Sequence, residues 1–184
     1  MTPLVDCICG ALVVVAIGSS NCACASETSP RPGGLLVYGA DFVFAATEPQ
    51  DWIGDTDNAA TWNCNLLFYP KGENPRKATI IRVTVAPKSG DDVNQDLNAD
   101  MERYKRAYPE VQFKTIDVSH PEYRCFAKLY LSPGQFWEYV TYLDPGAKSR
   151  HLLSVAMNKR GSEASSAEMK AYRAAIRSIV LLSD

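Results

Sequence analysis

The chain has 184 residues, with 19 basic and 21 acidic side chains, and its formal net charge at pH 7 is only −2. This length suits one ordinary domain with a substantial core. The near-neutral balance lacks the basic excess that marks nucleic-acid binding, so we expect another protein, not a nucleic acid, as the partner.

The first 25 residues have the layout of a secretory signal peptide. Their apolar run, Ile8 to Gly18, has about half the ~20 residues that a membrane-spanning helix needs. A cleavage pattern of the A-x-A form follows at residues 23–25. The usual leading Lys or Arg is missing, and Asp6 stands there instead. We predict cleavage after Ala25, a periplasmic or secreted protein, and no membrane span in the mature form.

Four of the six cysteines fall within this predicted signal peptide. They are Cys7, Cys9, Cys22 and Cys24. Lipidation is an alternative use of Cys22 or Cys24, but neither has the aliphatic residue three positions earlier that is typical of a lipoprotein signal. Cys64 and Cys125 remain after cleavage, and an even number in an oxidising compartment predicts one disulfide between them.

A polar leader and three strands come next. Residues 26–34 (SETSPRPGG) have few apolar groups and predict a flexible leader, with a single α+β domain over residues 35–184. In the third strand, Ile81, Val83 and Val85 alternate with polar residues, as in a half-buried strand. The three predicted strands are 41–45, 62–69 and 78–85.

A helix is predicted after the third strand. Asp91 or Asp92 can cap its first amides, and the apolar residues then recur at helical spacing. The members of this face are Val93, Leu97, Met101 and Tyr104. Tyr108 precedes a proline and closes the helix, because such a residue avoids helical backbone angles.

Four strands and a second helix complete the chain. The strands are predicted at 113–118, 124–131, 136–143 and 151–157. Pro145 and Gly146 make a turn between the last two, which therefore form a hairpin. Ser165 and Glu168 form a capping box ahead of a helix whose apolar face includes Tyr172. The predicted order is βββαββββα, an α+β domain in which helices pack on an antiparallel sheet.

This arrangement resembles the PsbP-like fold, which Ran-binding Mog proteins and many bacterial envelope proteins share. The stretches that carry the resemblance are ADFVFAATEPQDW, LLFYPKG, ATIIRVTV, FWEYVTYL, HLLSVAMNKRG and the closing helix. It covers residues 38–182 and lies in element order. It implies a sheet covered by helices, and a binding or assembly role rather than catalysis. It transfers no partner, metal or cofactor residue.

Catalytic patterns are weak throughout the sequence. His120 lies in DVSHPEYRC beside several possible ligands, but the spacing matches no standard zinc pattern and there is no G-x-S-x-G. Asp55 and Asp57 lie in a polar loop near two tryptophans, where a carboxylate pair could serve acid–base chemistry. We predict no catalytic residue, no metal and no cofactor. The alternative is an envelope hydrolase or metal-binding protein that uses Asp55 and Asp57 or His120.

Aromatic side chains are the stronger indication of a binding role. Trp137 and Tyr139 share one face of their strand and would anchor a partner if no helix covered them. The charged loop with Lys71, Arg76 and Lys77 could meet an acidic partner at the rim. We predict an exported, non-enzymatic binding or accessory factor of the cell envelope, such as an inhibitor or immunity protein. A structural subunit of a larger assembly is a third possibility and would show a large apolar patch.

Overall fold

The computed structural model describes residues 34–184. The strands are β1 Gly34–Tyr38, β2 Val43–Thr47, β3 Trp52–Asp55, β4 Leu66–Pro70, β5 Ile80–Pro87, β6 Gln112–Thr115, β7 Arg124–Ser132, β8 Phe136–Asp144, β9 His151–Arg160 and β10 Val180–Ser183. The α-helices are α1 Val93–Ala107 and α2 Ser166–Ser178, and a 3-10 helix spans Ala59–Trp62. No helix in this part of the chain has both the length and the apolar character needed to cross a membrane.

The strands form two antiparallel sheets. The larger has the order β3-β4-β5-β9-β8-β7-β6, and the smaller has the order β1-β2-β10. The predicted α+β class with antiparallel strands is confirmed. The strands are divided between two sheets, and the smaller one includes β10, which returns after α2 to pair with β2.

Two hydrophobic clusters place the elements in layers. On one face of the seven-stranded sheet, Phe68 and Val155 pack in one cluster with Phe44 of β2 and Ile176 of α2. On the opposite face, Leu97 of α1 packs with Tyr130 and Val140 of the sheet. The larger sheet is therefore covered by α2 and the smaller sheet on one side, and by α1 on the other.

The sequence signals for both helices are confirmed. Asp92 caps α1, where its side chain accepts from the amide of Asn94 at 3.0 Å. Ser165 and Glu168 form the predicted capping box of α2. In each case a side-chain oxygen near the helix start satisfies amides that have no partner within the helix.

The predicted strand 62–69 is too long. The structure begins β4 at Leu66 and places Trp62 at the end of the 3-10 helix. Asn63 then adopts a left-handed backbone conformation with φ 52°, which reverses the chain ahead of the strand. Asparagine is one of the few residues that tolerate this conformation.

Candidate functional site

The three-stranded sheet leaves one face without a covering layer in residues 34–184. We call this surface the outer face; its side chains alternate with Val37, Phe44 and Leu181, which point into the core. The outer face comprises Leu36, Tyr38, Val43, Ala45, Val180 and Leu182. Leu36, Tyr38 and Leu182 are 42%, 71% and 44% exposed. An exposed apolar face of this kind marks an interaction surface more often than a solvated one.

The borders of the outer face add one further feature. Within the described residues, β1 pairs only with β2 and keeps one unpaired edge, whereas the outer edge of β10 is partly occupied, because the Tyr123 hydroxyl accepts from the Leu181 amide. Asp41 and Glu48, which flank β2 in sequence, are exposed but are directed to the larger sheet: Asp41 Oδ2 lies 3.5 Å from His151 Nε2, and Glu48 Oε1 accepts from the Gly54 amide at 2.8 Å. The outer face thus combines an apolar centre with a free strand edge on β1.

A hollow of about 390 Å³ lies on the opposite side of the molecule, between α1 and the larger sheet. We call it the α1 hollow. Its lining residues are Arg82, Arg103, Tyr104, Ala107, Tyr108, Phe136, Glu138 and Asn158. Three aromatic rings form its walls: the Tyr108 and Phe136 ring centroids are 4.9 Å apart at 75°, and Tyr104 meets Phe136 at 6.1 Å. The volume falls in the range of small-ligand sites.

A buried charge pair forms the floor of the α1 hollow. Arg82 donates to Glu138 Oε1 at 2.6 Å, and the Tyr104 hydroxyl donates to Glu138 Oε2. The Glu138 side chain is 4% exposed, whereas those of Arg82 and Arg103 are 31% and 70% exposed. Burial and the neighbouring Glu138 raise the pKa of Tyr104 far above its usual value, so its hydroxyl remains a donor. Glu138 is therefore buried, whereas Arg82 is partly and Arg103 largely exposed to solvent.

The charged loop predicted to meet a partner lies beside this hollow. Arg76 and Lys77 line a smaller cavity of about 200 Å³ with Trp62 and Lys159, and both cavities share Asn158. Lys159 is paired with Glu168 at 2.6 Å. Neither Arg76 nor Lys77 has a carboxylate partner within residues 34–184. Lys71 is exposed at the start of the same loop.

Tyr139 requires a correction. It is buried, its hydroxyl accepts from the Ala164 amide at 3.1 Å, and its ring packs in the core near Tyr172. A partner cannot reach it, because α2 covers this face of β8. Trp137 is only partly buried at the edge of the same cluster, and its role as a partner contact stays a prediction.

The predicted disulfide is also wrong for this fold. Cys64 and Cys125 are both free in the described chain. Cys64 precedes β4 and Cys125 lies in β7, and β5, β9 and β8 separate those strands. Four strand spacings amount to about 19 Å, whereas a disulfide requires Cα atoms within about 7 Å. The even number of cysteines left after cleavage suggested a disulfide. The sequence does not show that Cys64 and Cys125 lie on opposite sides of the centre of the larger sheet.

We therefore expect two free thiols in a chain that begins at Ser26 and is unfolded without reductant. In the folded protein Cys64 should react slowly with a disulfide reagent at pH 8, because burial raises its pKa to about 11 and the thiolate is the reactive form. Its rate should climb steeply towards pH 10. Absorbance at the reagent's thiolate band measures both, and fewer than two thiols in denaturant would contradict the assignment.

His120 has a structural role in residues 34–184. Its Nδ1 accepts from the amides of Glu122 and Tyr123 at 3.0 and 2.9 Å, and its Nε2 donates to the Ile179 carbonyl at 2.9 Å. The Tyr123 hydroxyl accepts from the Leu181 amide at 2.9 Å. The loop that contains His120 and Tyr123 is therefore hydrogen-bonded to β10 and to the residue before it. Both ring nitrogens of His120 are used in these bonds, so neither is free for a metal or a substrate.

This arrangement predicts a pH dependence. Burial lowers the pKa of His120 below its usual 6.5, so below that pH the unfolded chain binds more protons than the folded one. Stability from His120 is present above pH 6.5 and lost as pH falls through the lowered pKa. We expect the free energy of unfolding, measured in urea from pH 7.5 to 5.5, to decline less steeply in His120→Asn. Equal slopes would contradict this role.

The aspartate pair is not assembled for catalysis. Asp55 accepts from the Asn58 amide and side chain, both at 2.8 Å, and from the Tyr69 hydroxyl. Burial opposes ionisation, but these hydrogen bonds hold the pKa of Asp55 below its usual value. Asp57 is exposed. Within residues 34–184, no group of three or more His, Cys, Asp or Glu side chains could hold a metal ion.

Comparisons with known proteins add no family assignment. No protein-family model matches the chain, and no curated protein matches it in sequence. The resemblance to the PsbP-like fold stays a prediction. The function must therefore be argued from the two surfaces alone.

Proposed function

We propose that this chain is an exported, non-enzymatic binding protein of the cell envelope and that another protein occupies its outer face. The observation that carries the proposal is the uncovered apolar sheet around Leu36, Tyr38 and Leu182. Three of the four exposed large hydrophobic side chains of the described chain lie there. Burying such a face on a partner gains the apolar transfer free energy that the fold itself does not use.

The chemistry of the partner follows from this surface. Its centre must be apolar, to match the side chains of β1, β2 and β10. An extended segment of the partner can also add to the free edge of β1, which pairs only with β2.

An enzymatic role has no comparable support. The polar side-chain atoms of His120 and Asp55 are hydrogen-bonded to neighbouring residues of the chain. Burial raises the pKa of both Cys64 and Cys125, which makes them poor nucleophiles. These placements favour the binding role over the hydrolase or metal-protein alternative.

The test is a native mass spectrum of the protein purified gently from its own host's envelope. Wild type is expected to retain a partner mass, and Leu36→Ser/Leu182→Ser should reduce the complex by about tenfold or more, as loss of interface anchors does. Tyr108→Ser is the matched control, since it removes the fourth exposed apolar side chain from the opposite side of the molecule. Its complex should persist.

Urea unfolding of the three proteins checks that each is folded in the conditions of the spectrum, since the substituted side chains are 36–44% exposed and their loss removes some packing. A wild-type spectrum without any partner would overturn the proposal. So would a double variant that keeps its partner, or an added mass equal to a second copy of this chain.

A further inference from the structure

The α1 hollow is a second, independent surface. It lies on the far side of the seven-stranded sheet from the outer face, and a partner on the outer face does not fill it. The ion pair between Arg82 and Glu138 forms the floor of this hollow. Packing of the core alone does not require an ion pair at this position. Replacing such a pair by apolar residues is often neutral or stabilising, so its retention needs another reason.

The charged side chains of the hollow that reach solvent, Arg82 and Arg103, are donors. Glu138 is almost fully buried, and each of its oxygens already accepts from Arg82 or Tyr104. In the described hydrogen bonds, Arg82 uses only Nη2, and its buried Nε has no partner. Arg103 lies at the rim and is largely exposed. The partly exposed Arg82 and the largely exposed Arg103, which also pairs with Asp100, offer guanidinium N–H groups to a ligand, and such groups favour a carboxylate.

The walls select for an apolar body next to that anionic group. Phe136 meets both Tyr104 and Tyr108 edge to face, and the small side chain of Ala107 lies beside them. Aromatic rings arranged in this way pack well against another ring. Tyr108 is 36% exposed although it belongs to this cluster, so its ring is available to a ligand.

We propose that the α1 hollow binds a carboxylate that adjoins an aromatic side chain, with the carboxylate on Arg82 and Arg103 and the ring against Tyr108 and Phe136. The same chemistry can come from a free aromatic acid or from the C-terminal residue of a peptide. The basic side chains of Arg76 and Lys77 lie beyond Asn158, on the path that a longer acidic ligand would follow.

N-acetyl-L-phenylalanine is the probe, titrated into the isotope-labelled mature protein and followed by amide chemical shifts. Shifts are expected at residues 103–108, 136–138 and 158. N-acetyl-L-phenylalanine amide, which lacks the carboxylate, should bind at least about fivefold more weakly, as expected for loss of one charge-assisted hydrogen bond. The tripeptide Ala-Ala-Phe, with a free carboxylate, distinguishes a peptide C-terminus from a free aromatic acid as the natural ligand. If it binds more tightly than the probe, the ligand is a peptide C-terminus. If it binds more weakly, the ligand is a free aromatic acid.

Two substitutions on α1 form a matched pair. Arg103→Gln and Lys105→Gln each remove a base from an i,i+3 ion pair, but only Arg103 lines the hollow. Arg103 pairs with the buried Asp100 and Lys105 with the exposed Glu102; a glutamine at position 103 can still donate to Asp100, whose other oxygen accepts from Tyr130. Arg103→Gln should raise the probe's Kd about fivefold, and Lys105→Gln should leave it unchanged. Tyr108→Ala should raise it about tenfold, since it removes an aromatic anchor. Arg82 is left intact because its loss would strand the buried Glu138.

Equal affinities for the probe and its amide would overturn the proposal. So would shifts confined to the outer face, or a Kd that Arg103→Gln and Tyr108→Ala leave unchanged while folding is intact. Leu36→Ser/Leu182→Ser should bind the probe like wild type, which keeps this result separate from that for the outer face.

Discussion

Asp144→Ala should destabilise the protein by about 3–5 kcal/mol, the usual cost of breaking a buried ion pair. Asp144 accepts from Lys88 Nζ at 2.6 Å and from the Gly146 amide at 2.9 Å, and it also pairs with Arg124. The side chains of Asp144 and Lys88 are both almost fully buried. Without the carboxylate, the Lys88 ammonium keeps only the Gly146 carbonyl at 2.7 Å.

Urea unfolding at pH 7 measures this loss. Glu102→Ala is the matched control, because it breaks an exposed helical pair with Lys105 and should cost less than about 0.5 kcal/mol. Lys88→Met added to Asp144→Ala should recover part of the stability, since no buried charge then remains unpaired. A single variant that loses less than about 1 kcal/mol would contradict this account of the cluster.

Tyr172→Ala should cost about 4 kcal/mol, in the range for removal of a large core aromatic. Tyr172 is fully buried where α2 crosses the larger sheet. Its hydroxyl donates to the Val155 carbonyl at 3.0 Å and bonds to Thr141 Oγ1 at 2.8 Å, so the Thr141 hydroxyl is the donor in the second bond. Ring and hydroxyl together hold the helix on the sheet.

Tyr172→Phe separates the two contributions. It keeps the ring but leaves the Val155 carbonyl and the Thr141 hydroxyl without their partner, which should cost about 1–3 kcal/mol. In thermal or urea unfolding we expect wild type to be the most stable, Tyr172→Phe to be less stable, and Tyr172→Ala to be the least stable. A Phe variant as stable as wild type would show that the hydroxyl network contributes nothing.

Local patterns predicted the parts of the fold that local physics determines. The alternation of Ile81, Val83 and Val85 marked β5, and the Ser165–Glu168 capping box marked the start of α2. Both depend on residues within a few positions of one another. The helical spacing that predicts an apolar face with Tyr172 continues to Ile179, which is the residue between α2 and β10 (VLLS). No local stop signal separates the two.

The candidate surfaces depend on contacts between distant segments. The outer face exists because Val180 pairs with Ala45, and the floor of the α1 hollow because Arg82 reaches Glu138. No periodicity or motif indicates such pairings. Composition pointed to aromatic contacts on β8, but Tyr139 lies under α2 while Phe136, on the other side of the strand, lines the hollow. The alternation of side chains along β8 predicts two faces, but only the tertiary structure shows which face α2 covers.

Site-specific photo-crosslinking in the native host envelope, with a photoreactive phenylalanine analogue at position 38, tests directly whether a partner protein covers the outer face. Tyr38 is the most exposed side chain of the outer face. The same analogue at Lys105, on the exposed side of α1, is the control. A discrete adduct with another protein from position 38, absent from position 105 and lost with Leu36→Ser/Leu182→Ser, is the predicted result. No adduct from position 38, or the same adduct from both positions, would contradict the claim that this sheet is where a partner protein binds.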